Sequence, residues 1–508
     1  MIMTQTLTEN LSPIEKKAIK AASASHPKGL YVLFFAELWE RFSYYGMRAL
    51  LILYMTKELL FGDEKAYGIY GAYGALVYGA PLVGGYLADR YLGNRRAIYL
   101  GGFIIALGHF TLALPIQSAL YYGIAFIIVG TGFFKANVAS LVGQLYEKGD
   151  PRRDSGFTLF YMGINLGGFL APLACGFVGE TFGWHYGFAL AGFGMLLGIL
   201  VLFWGRDIIK DVGFSPIGKK LDKPVFLGLS LFKITIILGI LAAPLVALMV
   251  DHNHVLKHFV TIFGVGTLAM ILYFIYVSEK EERKCLLTIL VMLPFYMIFW
   301  ACFEQAGGSM NLFAERNVDK MLFGWELKTS WFQSLNPFFI VTCAPLFTLL
   351  WDYITKKRGR DLLTSTKFAL GLAQAGLGFG CLLIAIKTST PEGYTAMIWL
   401  VLAYLLHSTG ELCISPVGLS MVSKLSPARF ASFMMGSVYL CISFGHYIAA
   451  FIARFFCECS EKDITTDKIA SLDVFYRIYE TLFYFPLGAA VLALIIGYFT
   501  KGIFRRHP

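Results

Sequence analysis

Charged residues are scarce in this chain. Only 15% of its 508 residues are Asp, Glu, Lys or Arg, whereas 57% are hydrophobic. A soluble domain has about 25% charged residues, so this composition leaves too little polar surface for a water-soluble globule. Disorder is excluded as well, since disordered chains are poor in aromatic residues and this chain has 16% of them. The composition therefore indicates a membrane protein.

Processing signals and metal-binding patterns are also missing. The first 30 residues are polar and carry Lys16, Lys17, Lys20 and Lys28. They contain no short apolar core before a cleavage site, so we expect no removable signal peptide. The nine cysteines follow no zinc or haem spacing, and we find no nucleophile elbow or phosphate loop. We expect no disulfide framework, no metal, no cofactor and no enzymatic activity.

Long apolar runs, by contrast, are abundant. A bilayer-crossing helix needs about 20 mostly apolar residues, and fourteen segments qualify. They are 31–55, 67–88, 97–114, 119–145, 156–180, 184–204, 225–250, 255–278, 285–312, 329–352, 367–387, 394–424, 430–456 and 476–500.

The distribution of positive charge supports this count. If the N-terminus is cytoplasmic, most of the 43 Lys and Arg residues fall in cytoplasmic loops, as the positive-inside rule requires. We therefore expect fourteen spans and two cytoplasmic termini. The net charge of +10 then reflects topology, and we expect no binding to nucleic acid.

Two similar loops suggest that the chain is built from two halves. Asp89 and Asp352 each end a span, and each is followed by a basic turn with Gly. The predicted order is a cytoplasmic segment (1–30), a six-helix bundle (31–205), a linker with two inserted helices (206–284), a second bundle (285–500) and a tail (501–508).

The first of these loops resembles the signature loop of the major facilitator superfamily. In that all-α fold two six-helix bundles rock about a central site. The resemblance implies that Asp89 latches one conformation together with Arg90, Arg95 and Arg96.

The first span carries an unusual set of ionisable residues. At about 100° per residue, one arc of about 140° holds Glu37, Glu40, Arg41, Tyr44, Tyr45 and Arg48. Charge inside a span is costly and marks function, so this face should line a protein interior or a wet cavity. The simpler alternative to a functional site is a cluster of salt bridges that only holds two helices together.

This span is also similar to the helix-1 motif of the proton-dependent oligopeptide transporter family. The matching string is Glu37-x-x-Glu40-Arg41-Phe42-x-Tyr44-Tyr45-Gly46. Further similar strings follow in order at 130–140, 160–167, 299–305, 333–337 and 410–420. The resemblance runs from about residue 30 to about residue 450, and the short loop 388–393 resembles the bacterial members.

The resemblance implies a proton-coupled symporter that imports di- and tripeptides by alternating access. Its proton-coupling residues would be Glu37, Glu40, Arg41 and Glu304, with the proton as coupling ion. A peptide offers two charged ends and backbone amides for recognition. Arg48 and Lys135 stand at the family's positions for binding the peptide carboxylate. Glu411 stands at the position for the ammonium group, and Asn165 and Asn336 stand at positions for the backbone amides. The walls for variable side chains would be the aromatic residues Tyr44, Tyr45, Tyr78, Tyr161 and Trp300. The implied peptide-binding set also includes Glu304 and Ser415.

Two salt bridges are implied as gates. Arg48 would pair with Glu304 near the outer side, and Lys135 with Glu411 near the inner side. In our hypothesis, protonation of Glu304 frees Arg48 to hold the peptide carboxylate. The outer side then closes, and the Lys135–Glu411 contact loosens.

Other residues and readings stay open at this point. His109, His407 and His446 are candidate proton relays, although packing is the simpler reading, and Lys233 can snorkel. Val438 stands where many family members carry Trp, which bears on the range of peptides that the protein accepts.

A transporter of nitrate or an amino-acid-like compound is the main alternative function. We expect a multi-pass protein of the bacterial inner membrane that works as a monomer in the lipid bilayer.

Overall fold

The computed structural model describes residues 25–147, 150–209, 212–459 and 467–506. Most of the predicted N-terminal segment and the end of the predicted tail lie outside these residues. The helices are α1 (Lys28–Leu53), α2 (Asp63–Leu87), α3 (Asn94–Leu112), α4 (Gln117–Gln144), α5 (Arg153–Phe182), α6 (Trp184–Trp204), α7 (Leu231–Asp251), α8 (Leu256–Val277), α9 (Lys280–Phe303), α10 (Ser309–Asn317), α11 (Leu335–Arg358), α12 (Thr364–Lys387), α13 (Met397–Leu425), α14 (Ala431–Glu458) and α15 (Lys468–Arg506).

Fourteen of these described helices are long, and each coincides with one predicted span, so the predicted all-helical membrane fold is confirmed. Eleven candidate membrane spans in the described residues are apolar enough to cross a bilayer by composition alone. The exceptions are α1 to α3. In α1 the cause is the four charged side chains in its middle, Glu37, Glu40, Arg41 and Arg48. Most of α1 is buried against other helices, which allows it to carry charge at membrane depth.

One predicted span is interrupted. The sequence predicted a single helix over 285–312, but α9 ends at Phe303 and a 3₁₀ turn, Glu304–Gly307, precedes α10. Two glycines make this possible. Gly308 has φ and ψ both at −107°, outside the helical region, and a Cβ on Gly307 would lie 1.7 Å from the Tyr70 hydroxyl oxygen. The break leaves Glu304 on a turn inside the protein.

The helices pack in two halves, α1–α6 and α9–α15. The halves meet along two helix pairs, α2 with α14 and α5 with α11. Of the two inserted helices, α7 packs on α4, and α8 lies beside α9 and α14.

Small residues allow the close approach of α1 and α5. A Cβ on Gly167 would lie only 2.3 Å from the carbonyl oxygen of Leu38, and one on Gly46 would lie 2.6 Å from the Cys175 sulfur. Such packing of backbone against backbone is typical of membrane helices. It fixes the rotation of α1, and therefore the direction of its charged face.

Six short strands lie in the connections. They are β1 (Pro224–Phe226), β2 (Leu229–Ser230), β3 (Val318–Asp319), β4 (Met321–Leu322), β5 (Trp325–Glu326) and β6 (Thr395–Ala396). The pairs β1–β2 and β4–β5 are antiparallel hairpins, whereas β3 and β6 pair in parallel. The β3–β6 pair ties the segment after α10 to the start of α13.

The contacts between the halves concentrate at one end, which we call the closed end: the α1–α2 connection, α10, and the turn before α11. Lys57 Nζ lies 2.5 Å from Glu315 Oε1. The Arg316 guanidinium donates two 2.6 Å hydrogen bonds to the Asp63 carboxylate. Glu180 at the end of α5 accepts a 2.9 Å hydrogen bond from the backbone N–H of Ser330. These contacts join α1, α2 and α5 to the second half.

Candidate functional site

The charged face of α1 forms a compact cluster inside the first half. Glu40 accepts two hydrogen bonds from the Arg41 guanidinium, one of them 2.6 Å long. The nearer oxygen of Glu37 lies 3.3 Å from Arg41 Nε, while its Oε2 has no hydrogen-bond partner among the described residues. All three side chains are almost fully buried, and the Arg41 guanidinium also lies 4.9 Å from the ring centre of Tyr44. The cluster has one well-bound acid and one poorly bound acid.

A second buried pair joins the two halves. Arg48 Nη2 donates a 2.7 Å hydrogen bond to Glu304 Oε2, and Arg48 Nε donates a 2.8 Å bond to the Tyr70 hydroxyl. Arg48 and Glu304 expose only 4% and 2% of their surface. Removing one partner of such a pair leaves an uncompensated buried charge. The contact is therefore a strong link between α1 and the turn after α9.

Lys135 and Glu411 are not paired with each other in this conformation. Lys135 Nζ lies 3.5 Å from the ring centre of Tyr78 on α2. Glu411 Oε2 instead accepts a 3.2 Å hydrogen bond from Asn336 Nδ2, which also bonds Ser408. Lys135 and Glu411 belong to different halves, and each uses a partner from its own half.

Polar and aromatic side chains from both halves surround these charges. Asn165 Nδ2 bonds the carbonyl oxygen of Tyr161, whose side chain is 43% exposed. Tyr45 lies with its ring centre 5.9 Å from the Arg48 guanidinium.

Two further predicted wall residues are in the second half. Trp300 is buried and packs edge-on against Phe303, with ring centres 5.2 Å apart. Ser415 lies near the side chain of Tyr296. Trp300 and Ser415 therefore lie beside aromatic residues.

The histidines differ in their surroundings. His407 Nε2 lies 3.1 Å from the carbonyl oxygen of Ala375, and its ring packs on Phe379, as expected for a structural histidine. His446, for which sequence reasoning favoured packing, lies with Nδ1 3.3 Å from Glu304 Oε2. No sequence signal pointed to this contact, because helical periodicity does not relate α14 to the turn after α9.

The predicted latch around Asp89 is not formed in this conformation, and its role in another conformation stays a prediction. Asp89 is exposed and, within the described chain, forms no ion pair with Arg90, Arg95 or Arg96. Arg96 instead makes hydrogen bonds of 2.6 and 2.8 Å to Asp222 in the linker, and Arg95 bonds the carbonyl oxygen of Arg206. The hydrogen bonds from Arg96 hold the pKa of Asp222 below its usual value. The basic loop therefore anchors the linker, because that segment lies against the start of α3.

Comparison with known proteins identifies the family. The PTR2 profile, which describes the POT family, matches residues 95–470. The chain belongs to the POT family. Among curated POT relatives, the uncharacterized transporter YclF of Bacillus subtilis is 40% identical, with 86% of this chain and 89% of that protein covered. Dipeptide and tripeptide permease A of Escherichia coli is 33% identical, with 96% of this chain and 95% of that protein covered.

Solved structures of the POT family agree with this fold. A crystal structure of the peptide transporter POT with sulfate has a TM-score of 0.77 and 36% identity, covering 96% of this chain and 98% of that one. A POT family transporter with a thioalcohol-conjugated peptide has a TM-score of 0.78 and 31% identity, covering 94% and 97%. This POT family chain is therefore a multi-pass membrane transporter.

Proposed function

We propose that the protein is a secondary active transporter that imports di- and tripeptides with protons by alternating access. It acts as a monomer in the lipid bilayer of a bacterial inner membrane, with both termini cytoplasmic. The observation that carries the proposal is the buried Arg48–Glu304 pair between the halves. Its titratable carboxylate connects proton binding to the contact between the moving halves.

The distribution of charge suits a zwitterionic peptide. Arg48 and Lys135 on the first half supply positive charge for a carboxylate terminus. Glu411 on the second half supplies negative charge for an ammonium terminus, and its neighbour Asn336 offers an amide. A peptide that reaches both groups spans the interface, so its binding draws the halves together.

Protonation of Glu304 changes the contact between the two halves. A proton on its carboxylate removes the negative charge that holds Arg48, which then becomes available to the peptide carboxylate. Loss of one partner from a buried ion pair costs about 3–5 kcal/mol. Since about 1.4 kcal/mol is a tenfold change in an equilibrium constant, this cost is enough to shift the balance between two conformations.

The conformation fits one stage of such a cycle. We assign the closed end to the periplasmic side, as the charge distribution of the loops favours. The separation of Lys135 from Glu411 then corresponds to a loosened inner gate. We therefore interpret the structure as closed to the outside, after proton release, because Glu304 is paired with Arg48.

The test uses purified protein in lipid vesicles with an alkaline interior. We expect labelled dialanine to accumulate above its external concentration, and a protonophore to abolish that accumulation. Protein-free vesicles and vesicles without a gradient are the controls. Uptake of nitrate without accumulation of dialanine would overturn the peptide assignment and favour the alternative substrate.

A further inference from the structure

We propose that His446 exchanges a proton with Glu304 and thereby controls the Arg48–Glu304 pair. The proposal deepens the proton coupling proposed above. The central observation is that a guanidinium and an imidazole, which can both carry positive charge, lie close to the same carboxylate oxygen of Glu304. Glu304 Oε2 accepts from Arg48 Nη2 at 2.7 Å and lies 3.3 Å from His446 Nδ1. A proton delivered to that oxygen acts directly on the bond that holds Arg48.

The ring of His446 is held in place but lacks ordinary hydrogen bonds. Only 3% of the residue is exposed, and neither ring nitrogen has a hydrogen-bond partner of good geometry in the described part of the chain. A buried polar group without partners is costly, so simple packing accounts poorly for a histidine here. The nearby carboxylate gives the ring a chemical role.

Its neighbours fix the ring against Glu304. On α2, a Cβ at Gly74 would lie 2.3 Å from His446 Nδ1, so only glycine leaves room for the ring. On the same helix, the Tyr78 ring lies 5.0 Å from that of His446, centre to centre. Because α2 and α14 belong to different halves, the ring occupies an interface that changes during alternating access.

The charged and titratable groups around His446 come from four other segments. Glu304 faces it from the turn after α9, Arg48 from α1, Lys135 from α4, and Tyr78 from α2. The carboxylate favours a positive ring, whereas burial of the ring and the cations Arg48 and Lys135 oppose one. Movement of either cation, through gate opening or peptide binding, therefore alters where the proton resides.

The step is a simple proton transfer. The Nδ1–H bond of the imidazolium breaks, and a new O–H bond forms at Glu304 Oε2. The products are a neutral imidazole and a neutral carboxyl group, and no other reactant is needed. Arg48 then has no carboxylate partner and is free to bind the carboxylate of a peptide.

The test compares His446→Gln with His407→Gln, a matched change at the structural histidine. In vesicles, we expect His446→Gln to keep exchange of dialanine without a gradient. The initial rate of gradient-driven uptake should fall by about 100-fold or more, the scale of a positioned proton-transfer group. The pH dependence of this uptake between about pH 5 and 8 should flatten. His407→Gln should keep wild-type exchange, wild-type gradient-driven uptake and its pH dependence. A wild-type uptake rate and pH dependence in His446→Gln would overturn the proposal.

A second measurement does not depend on transport. Infrared spectra of the purified protein, titrated with acid, contain a carboxyl band that is identified by its loss in Glu304→Gln. We expect His446→Gln to shift the midpoint of this band, whereas an unchanged midpoint would refute the proposal even if transport is lost. If the wild-type protein fails to accumulate dialanine, the proposed function fails, and the infrared shift still decides the role of His446.

Discussion

Glu40 accepts two hydrogen bonds from Arg41, its neighbour in sequence, whereas Glu37 contacts the same guanidinium at 3.3 Å and has one oxygen without a partner among the residues that the structure describes. The two acids of the helix-1 motif are therefore not equivalent. Glu40 stabilises the buried Arg41, and Glu37 is the acid that a proton can neutralise with the smaller structural loss.

This difference predicts unequal effects of two matched substitutions. Glu40→Gln should lower stability by about 3–5 kcal/mol, because it removes the main partner of a buried charge. Glu37→Gln should lower it by about 1 kcal/mol, as for an ordinary hydrogen bond, and both should abolish gradient-driven accumulation. Thermal unfolding in detergent and vesicle uptake measure the two effects. Equal losses of stability would contradict the assignment.

Loss of the Arg48–Glu304 pair should open the closed end. Spin labels at Leu60 and Phe323, two highly exposed positions on opposite halves, report this distance. The exposed Cys459 is first replaced by Ser. We expect Glu304→Gln to shift the distances to larger values, because it removes the charge that holds Arg48. Asp222→Asn, which breaks an exposed pair in the linker, should leave them unchanged. Identical distributions in all three proteins would exclude a gating role.

The cations of the first half should recognise the peptide carboxylate. Arg48→Ala and Lys135→Ala should each weaken binding of dialanine, with a much smaller effect on its C-terminally amidated analogue. Lys233→Ala removes an exposed lysine of α7 and is the matched control. Binding is measured by calorimetry on the purified protein. Equal losses for both ligands would exclude a carboxylate contact.

Glu411 should recognise the peptide amino group. Wild-type protein should prefer dialanine to N-acetyl-dialanine, because acetylation removes the positive charge. Glu411→Gln should lose most of this preference while it keeps the hydrogen bond from Asn336. Competition uptake assays give the ratio of the two apparent affinities. A preserved ratio in Glu411→Gln would place the amino group elsewhere.

The α1–α5 crossing should tolerate no added methyl group at Gly167. Gly167→Ala places a Cβ against the Leu38 carbonyl, and we expect a loss of about 1–3 kcal/mol, as for an overpacked core. Gly488→Ala is the control, since no atom of the described part of the chain lies within 4 Å of its Cβ. It should be neutral or slightly stabilising, as alanine favours helices. Thermal unfolding of the two variants gives the comparison.

Local sequence alone located the helices and the charged face of α1. Apolar length defines a membrane span wherever it occurs, so the fourteen long helices could be predicted without knowledge of their neighbours. The 3.6-residue period likewise placed Glu37, Glu40 and Arg41 on one face. The break at Glu304 had a local signal in Gly307 and Gly308, but hydrophobic length concealed it.

Only the tertiary structure decided the partners of these residues. Periodicity states which side chains share a face, but it does not state which distant helix meets that face. His446 therefore became visible beside Glu304 only after α14 was packed on α2. Likewise, Lys135 contacts Tyr78 instead of Glu411, and Arg96 bonds Asp222 instead of Asp89. A buried charge requires a partner, and the relative position of the two halves decides which partner is within reach.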